Sequence, residues 1–145
     1  MAPLISLLVG WLGARLAGLL GVVPLDNWQG SLRVGVALMF VVTGVVHFVH
    51  YRADLVAMVP PALPRPELLV TVTGVLELLG AAGLLVPATA SAAGYCLAAL
   101  LLVMFPANVH AARQRLTLGG RQVEPLPRRT ALQVVFLAAA VASAI

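Results

Sequence analysis

The sequence predicts an all-α integral membrane protein, a bundle of apolar helices held in lipid, and three observations carry that expectation. First, 61% of the 145 residues are hydrophobic and 10% are charged, with a mean hydropathy of +1.04. A globular domain carries about 25% charged residues, so this chain lacks the polar surface to cover a compact body in water, and disorder is excluded as well. Second, the apolar residues gather into five stretches, most of them near the roughly 20 residues that a spanning helix needs. Third, the nine basic residues are all Arg and fall mainly in the loops between those stretches, which is how membrane topology is written.

The first stretch covers residues 4–23. It has no basic leader, carries Arg15 within its apolar run and shows no small-residue cleavage site before Pro24, so it is read as a retained helix and not a signal peptide. Gly10, Ala14 and Gly18 recur every fourth residue, as do Gly13, Ala17 and Gly21. Either stripe lets a second helix approach closely.

The second stretch covers residues 32–50, the third 67–86 and the fourth 90–110. The connection between the second and third, residues 51–66, is the longest. Its segment RADLVAMV places Leu55, Val56, Met58 and Val59 together, and prolines at 60, 61, 64 and 66 then block a continuous helix. It reads as a short interfacial helix followed by a rigid link. The turn at Pro87, Ala88 and Thr89 is tight and uncharged, which makes the third and fourth helices an antiparallel pair. The fifth stretch, residues 130–145, is about 16 residues long and spans only with bilayer thinning or with help from Arg128 and Arg129, whose stems can lie along the interface.

With five spans, seven Arg (52, 65, 113, 115, 121, 128 and 129) share the side of the N-terminus, against Arg33 alone on the other. The expected orientation is N-terminus inside and C-terminus outside. Arg without interleaved aromatics in one run argues against nucleic acid. A lone Cys96 permits no dithiol chemistry and reads as a small packing residue. No P-loop, HExxH, Ser-His-Asp order or dinucleotide fingerprint occurs.

The informative residues are the polar ones inside apolar runs. Glu77 lies ten residues into the third stretch, about 15 Å deep at 1.5 Å per residue. Thr73, Gly74, Gly80 and Ala81 share its face, so it turns toward other helices. Arg15 comes out at a depth of about 16 Å in the first helix. Two readings stay open. Arg15 and Glu77 form a buried charge pair, either lining a site or fixing two helices, or Glu77 holds a proton and Arg15 bends to the interface. His47 falls one turn from the inner end of the second helix, with Thr43 on its face. Asn108 follows Pro106 at the same end of the fourth. Together with Thr73 they outline a ligand pocket or proton site beneath Glu77, or each simply satisfies a nearby carbonyl. His47, His50 and His110 near one surface invite a metal reading, but an HxxH pair without a carboxylate or Cys cluster is a weak ligand signature, and no metal is expected. Trp11, Trp28 and Tyr51 read as membrane anchors or packing residues.

Four strings in order, GVVHF (44–48), MVPPALPRP (58–66), TGVLELLGAAGLLVP (73–87) and FPANVHAA (105–112), resemble the DoxX-like family of small bacterial integral membrane proteins over about residues 32–145. The resemblance implies a four-helix core within a single membrane domain, residues 1–145, with residues 31–145 as the core and residues 1–25 as an additional N-terminal helix. It carries the family's polar positions onto His47, Glu77 and Asn108. It also implies a redox setting in the bacterial cytoplasmic membrane. In that setting the chain is an accessory subunit with no intrinsic cofactor, a quinone is the candidate ligand, and a redox protein is recruited through the Arg-rich loop. The alternatives are a non-catalytic scaffold or chaperone-like module and a small carrier of a lipophilic solute or proton. The carrier would have to form a homo-oligomer, because five short helices hold no inverted repeat.

Overall fold

The computed structural model of the chain describes residues 1–49 and 51–145. It is 76% helical. In chain order the elements are α1 (Ala2–Leu19), a 3-10 turn (Val23–Leu25), α2 (Trp28–Val46), α3 (Arg52–Met58), α4 (Pro66–Leu84), α5 (Ala90–Arg113), β1 (Thr117–Leu118), β2 (Arg121–Gln122) and α6 (Leu126–Ala144). Four of these helices, α1, α2, α4 and α5, are long and apolar enough to cross a membrane.

The boundaries follow local chemistry. Proline opens α1 and α4, where its missing N–H costs nothing. Asn27 caps α2 by accepting a hydrogen bond from Gly30 N at 2.6 Å. Gly21, at φ +110°, ends α1 in the left-handed region, so that Val22 N can reach back to Ala17 O. The same closure ends α5, with Arg115 in the left-handed position and Leu116 N bonded to Ala111 O. Between β1 and β2, Gly119 and Gly120 both have positive φ, which is what a two-residue hairpin turn requires. This small hairpin goes beyond the loop that the sequence predicts between the last two helices.

Helix α2 is the hub: it packs against α1, α4 and α6, while α5 packs against both α4 and α6. Glycine makes the close approaches possible. A Cβ on Gly10 would lie 2.9 Å from the Gly35 backbone, and one on Gly94 would lie 2.7 Å from Ala144 Cβ. Of the two stripes on α1, Leu7, Gly10, Ala14 and Gly18 are buried, whereas Gly13 faces open space. Val36, Met39, Phe40, Leu84 and Leu97 fill the center. Arg33 Nε donates to Ser143 O at 2.9 Å, and Gln29 donates to Ile145 O at 2.6 Å, so the C-terminus closes against the start of α2.

Three expectations need correction. The last helix begins four residues earlier than the apolar stretch and stands outside the four apolar spans, because Arg128, Arg129, Thr130 and Gln133 lower the hydropathy of its first turns. Helix α2 ends at Val46, short of the expected residue 50, with His47 as its cap. Cys96 is exposed on the outer face of α5, since Gly94, Leu97 and Ala98 take the inner one.

Candidate functional site

The site grows out of the early end of α2. A helix that stops inside a bundle leaves carbonyls without N–H partners, and here side chains satisfy them. His47 Nδ1 lies 2.9 Å from Thr43 O, and Arg52 Nη1 donates to His47 O at 3.0 Å. Arg52 also donates through Nη2 to Glu67 O (3.1 Å) and Thr71 Oγ1 (2.8 Å). One guanidinium thus fastens the end of α2 to the first turns of α4, with its positive charge at the negative end of the α2 dipole.

His47 and Glu77 are brought together by two glycines. A Cβ on Gly74 of α4 would come within 2.6 Å of His47 Cβ, and one on Gly44 of α2 would lie 3.2 Å from Glu77 Cβ. Each helix therefore offers a glycine where the other brings its titratable side chain. His47 is 5% exposed and Glu77 2% exposed, with His47 Nδ1 4.0 Å from Glu77 Oε2. That is beyond hydrogen-bond reach, and Glu77 Oε2 has no hydrogen-bond partner among the described residues. A buried polar atom left without a partner costs roughly 1–3 kcal/mol, so an arrangement that keeps one calls for a reason.

Beside this pair lies a cavity of about 170 Å³ between the end of α2, α3 with its proline-rich link, α4 and α5. His47, Thr73 and Asn108 supply its polar wall, and Met58 and Met104 are among its apolar lining. Thr73 Oγ1 bonds back to Leu69 O at 2.9 Å. Asn108 Oδ1 accepts a hydrogen bond from Arg129 Nη1 of α6. Pro106, two residues earlier in α5, removes a backbone donor. In the same stretch Gln133 of α6 donates to Leu101 O at 2.7 Å.

The sequence-derived residues are therefore placed as follows. His47, Thr73 and Asn108 meet in one cavity wall, and Glu77 stands next to His47 but outside the wall. Thr43 contributes its carbonyl to His47, and its hydroxyl, which bonds back to Met39 O at 3.2 Å within α2, also faces the Glu77 carboxyl. Arg15 does not pair with Glu77. It meets Asp26 at 3.3 Å on the exposed side of the α1–α2 loop, because α1 packs against α2 and Arg15 lies only four residues from the end of α1, far nearer that loop than α4. Trp11 is a packing residue against Gly35, whereas Trp28 is exposed. His110 lies in the last turn of α5, and His50 falls outside the described residues.

Arg52, Arg129 and Gln133 were not anticipated as parts of this region. They stand in loop-like or interfacial stretches, and no local spacing links Arg52 to Thr71 or Arg129 to Asn108.

Residues 36–144, about three quarters of the chain, match the family model described as a domain of unknown function, DUF8561. The matched stretch contains His47, Glu77 and Asn108 and leaves α1 outside. No curated protein and no solved structure matches the chain.

Proposed function

The chain belongs to the DUF8561 family, and from that premise and the geometry of the cavity we propose that it is a membrane-embedded accessory subunit that holds the polar head of a lipophilic redox molecule of the quinone class. The observation that carries this reading is the buried His47–Glu77 pair, with an unpartnered carboxyl oxygen, set against a small cavity whose remaining polar groups are Thr73 and Asn108. A head group hydrogen-bonds the wall, and His47 with Glu77 behind it accepts or returns the proton that accompanies redox change. Intramembrane titratable groups of this kind mark ligand or proton sites.

On the same proposal the order of motifs reflects kinship with the DoxX-like proteins, with α2, α4, α5 and α6 as the shared core and α1 added on the outer side of α2. The Arg-rich end, which carries the hairpin, faces the cytoplasm of a bacterial cell and meets a redox partner there. Titration in lipid nanodiscs with a short-tailed benzoquinone in both redox forms tests the reading. Saturable binding is expected for the native chain, weakened at least about fivefold by His47→Phe and altered by Glu77→Gln. Uptake no greater than that of empty nanodiscs in every case removes it.

A second reading is a non-catalytic scaffold, favored by the exposed Arg113, Arg115, Arg121 and Arg128 at one end. A stoichiometric partner that co-purifies with the native chain, and is lost when those four are changed to Gln, would support it.

A further inference from the structure

Resting on the pocket reading above, we infer that the cavity selects a single-ring head group bearing a hydroxyl over the same ring bearing only acceptors. The wall's hydrogen bonds already made inside the protein determine what remains for a ligand. Thr43 O can only accept, so the hydrogen of the neutral His47 ring is on Nδ1, and Nε2 keeps a lone pair. The single hydroxyl hydrogen of Thr73 is committed to Leu69 O, which leaves its oxygen as an acceptor. Arg129 can only donate, so the oxygen of the Asn108 amide is turned toward it and the Nδ2 donors are left over. The three residues line the same space, and what they have left to offer is two acceptors, on His47 and Thr73, and one donor group, the Asn108 amide nitrogen.

A ring that carries only carbonyl oxygens satisfies Asn108 and leaves both acceptors facing it unpaired. A ring hydroxyl donates to His47 Nε2 or Thr73 Oγ1 and still accepts from Asn108. A volume of about 170 Å³ is close to that of an engineered cavity of about 150 Å³ that admits one benzene ring. The thioethers of Met58 and Met104 offer polarizable contacts to an aromatic face. Val103, 72% exposed, and Leu63, 46% exposed, are on the rim, so an alkyl tail can leave the cavity along the outer surface of the bundle.

Para-hexylphenol and its methyl ether, para-hexylanisole, in which a methyl group replaces the hydroxyl hydrogen and the donor is lost, serve as the probe pair. Equilibrium dialysis against the full chain in nanodiscs, with empty nanodiscs as the blank, is expected to show the phenol binding about tenfold more tightly, the worth of one hydrogen bond to a buried acceptor. His47→Phe is expected to shrink that preference to below about threefold, whereas the native comparison needs no variant to fold. Equal saturable binding of both probes overturns the hydroxyl selection and leaves the pocket reading standing. Absence of saturable binding by either probe overturns both.

Discussion

His47 Nδ1 stands 4.0 Å from Glu77 Oε2 while the same nitrogen lies 2.9 Å from Thr43 O. The imidazole is held by its own helix, and the carboxyl of the facing helix waits just out of reach with a free oxygen. The two groups are neighbors without being bonded to each other. It follows that Glu77 is there at the expense of stability. Glu77→Met, of similar shape, is expected to leave unfolding free energy unchanged or to raise it by about 1–3 kcal/mol while altering ligand binding. Denaturant titration in detergent measures this, and a loss above about 1 kcal/mol would show that the carboxyl has a structural partner.

Gly74 sets the distance between α2 and α4. Gly74→Ala places a Cβ 2.6 Å from His47 Cβ and 2.9 Å from the Phe48 ring, so the helices must part, at an expected cost of about 1–3 kcal/mol. Gly13→Ala, which meets nothing within 4 Å, is the control. It is expected to be neutral or to stabilize by up to about 1 kcal/mol through helix propensity.

The Arg52 fork joins three acceptors on two elements. Arg52→Met is expected to cost about 1–2 kcal/mol and to speed protease cleavage within residues 51–66. Arg52→Lys restores little, since an ammonium lacks the planar fork. Unchanged cleavage in Arg52→Met would mean that α3 is held by its apolar side and the Asp54–Gly119 bond without help from the fork.

Arg15 and Glu77 act independently. Arg15→Gln breaks a solvent-exposed pair with Asp26 and is expected to cost less than about 1 kcal/mol. The double variant with Glu77→Gln is expected to be additive within about 0.5 kcal/mol. A larger coupling energy in the double-mutant cycle would restore the charge pair that the sequence suggests.

Asn108→Asp separates binding from folding. The carboxylate keeps an acceptor for Arg129, so stability is expected to hold, but the leftover Nδ2 donor is gone and head-group binding is expected to fall several-fold. Dialysis alongside thermal unfolding checks both halves.

The long helices and the short α3 were legible in the sequence because apolar length and the proline block at 60–66 speak through composition alone. Burial of Glu77 was legible from its small neighbors Thr73, Gly74 and Ala81. The stopping point of α2 was not, since Phe48 and Val49 continue the apolar run and only the long-range bond from Arg52 reveals where the carbonyls need help. The Arg129–Asn108 bond joins residues 21 apart, a contact that packing creates and no periodicity announces. Matching depths misled for Arg15, because equal height does not make two helices neighbors, and α1 is packed on α2. The paired glycines at 119 and 120 did carry a local turn signal between short strands too polar to stand out.

The tip of the hairpin is tied to α3 by a bond of 2.8 Å from Gly119 N to Asp54 Oδ2, and a Cβ at Gly119 would collide with the Tyr51 ring. Any pull on that tip is therefore carried along α3 to Leu55 and Met58, two of the side chains that line the cavity, so a hairpin far away in sequence shares in setting its shape.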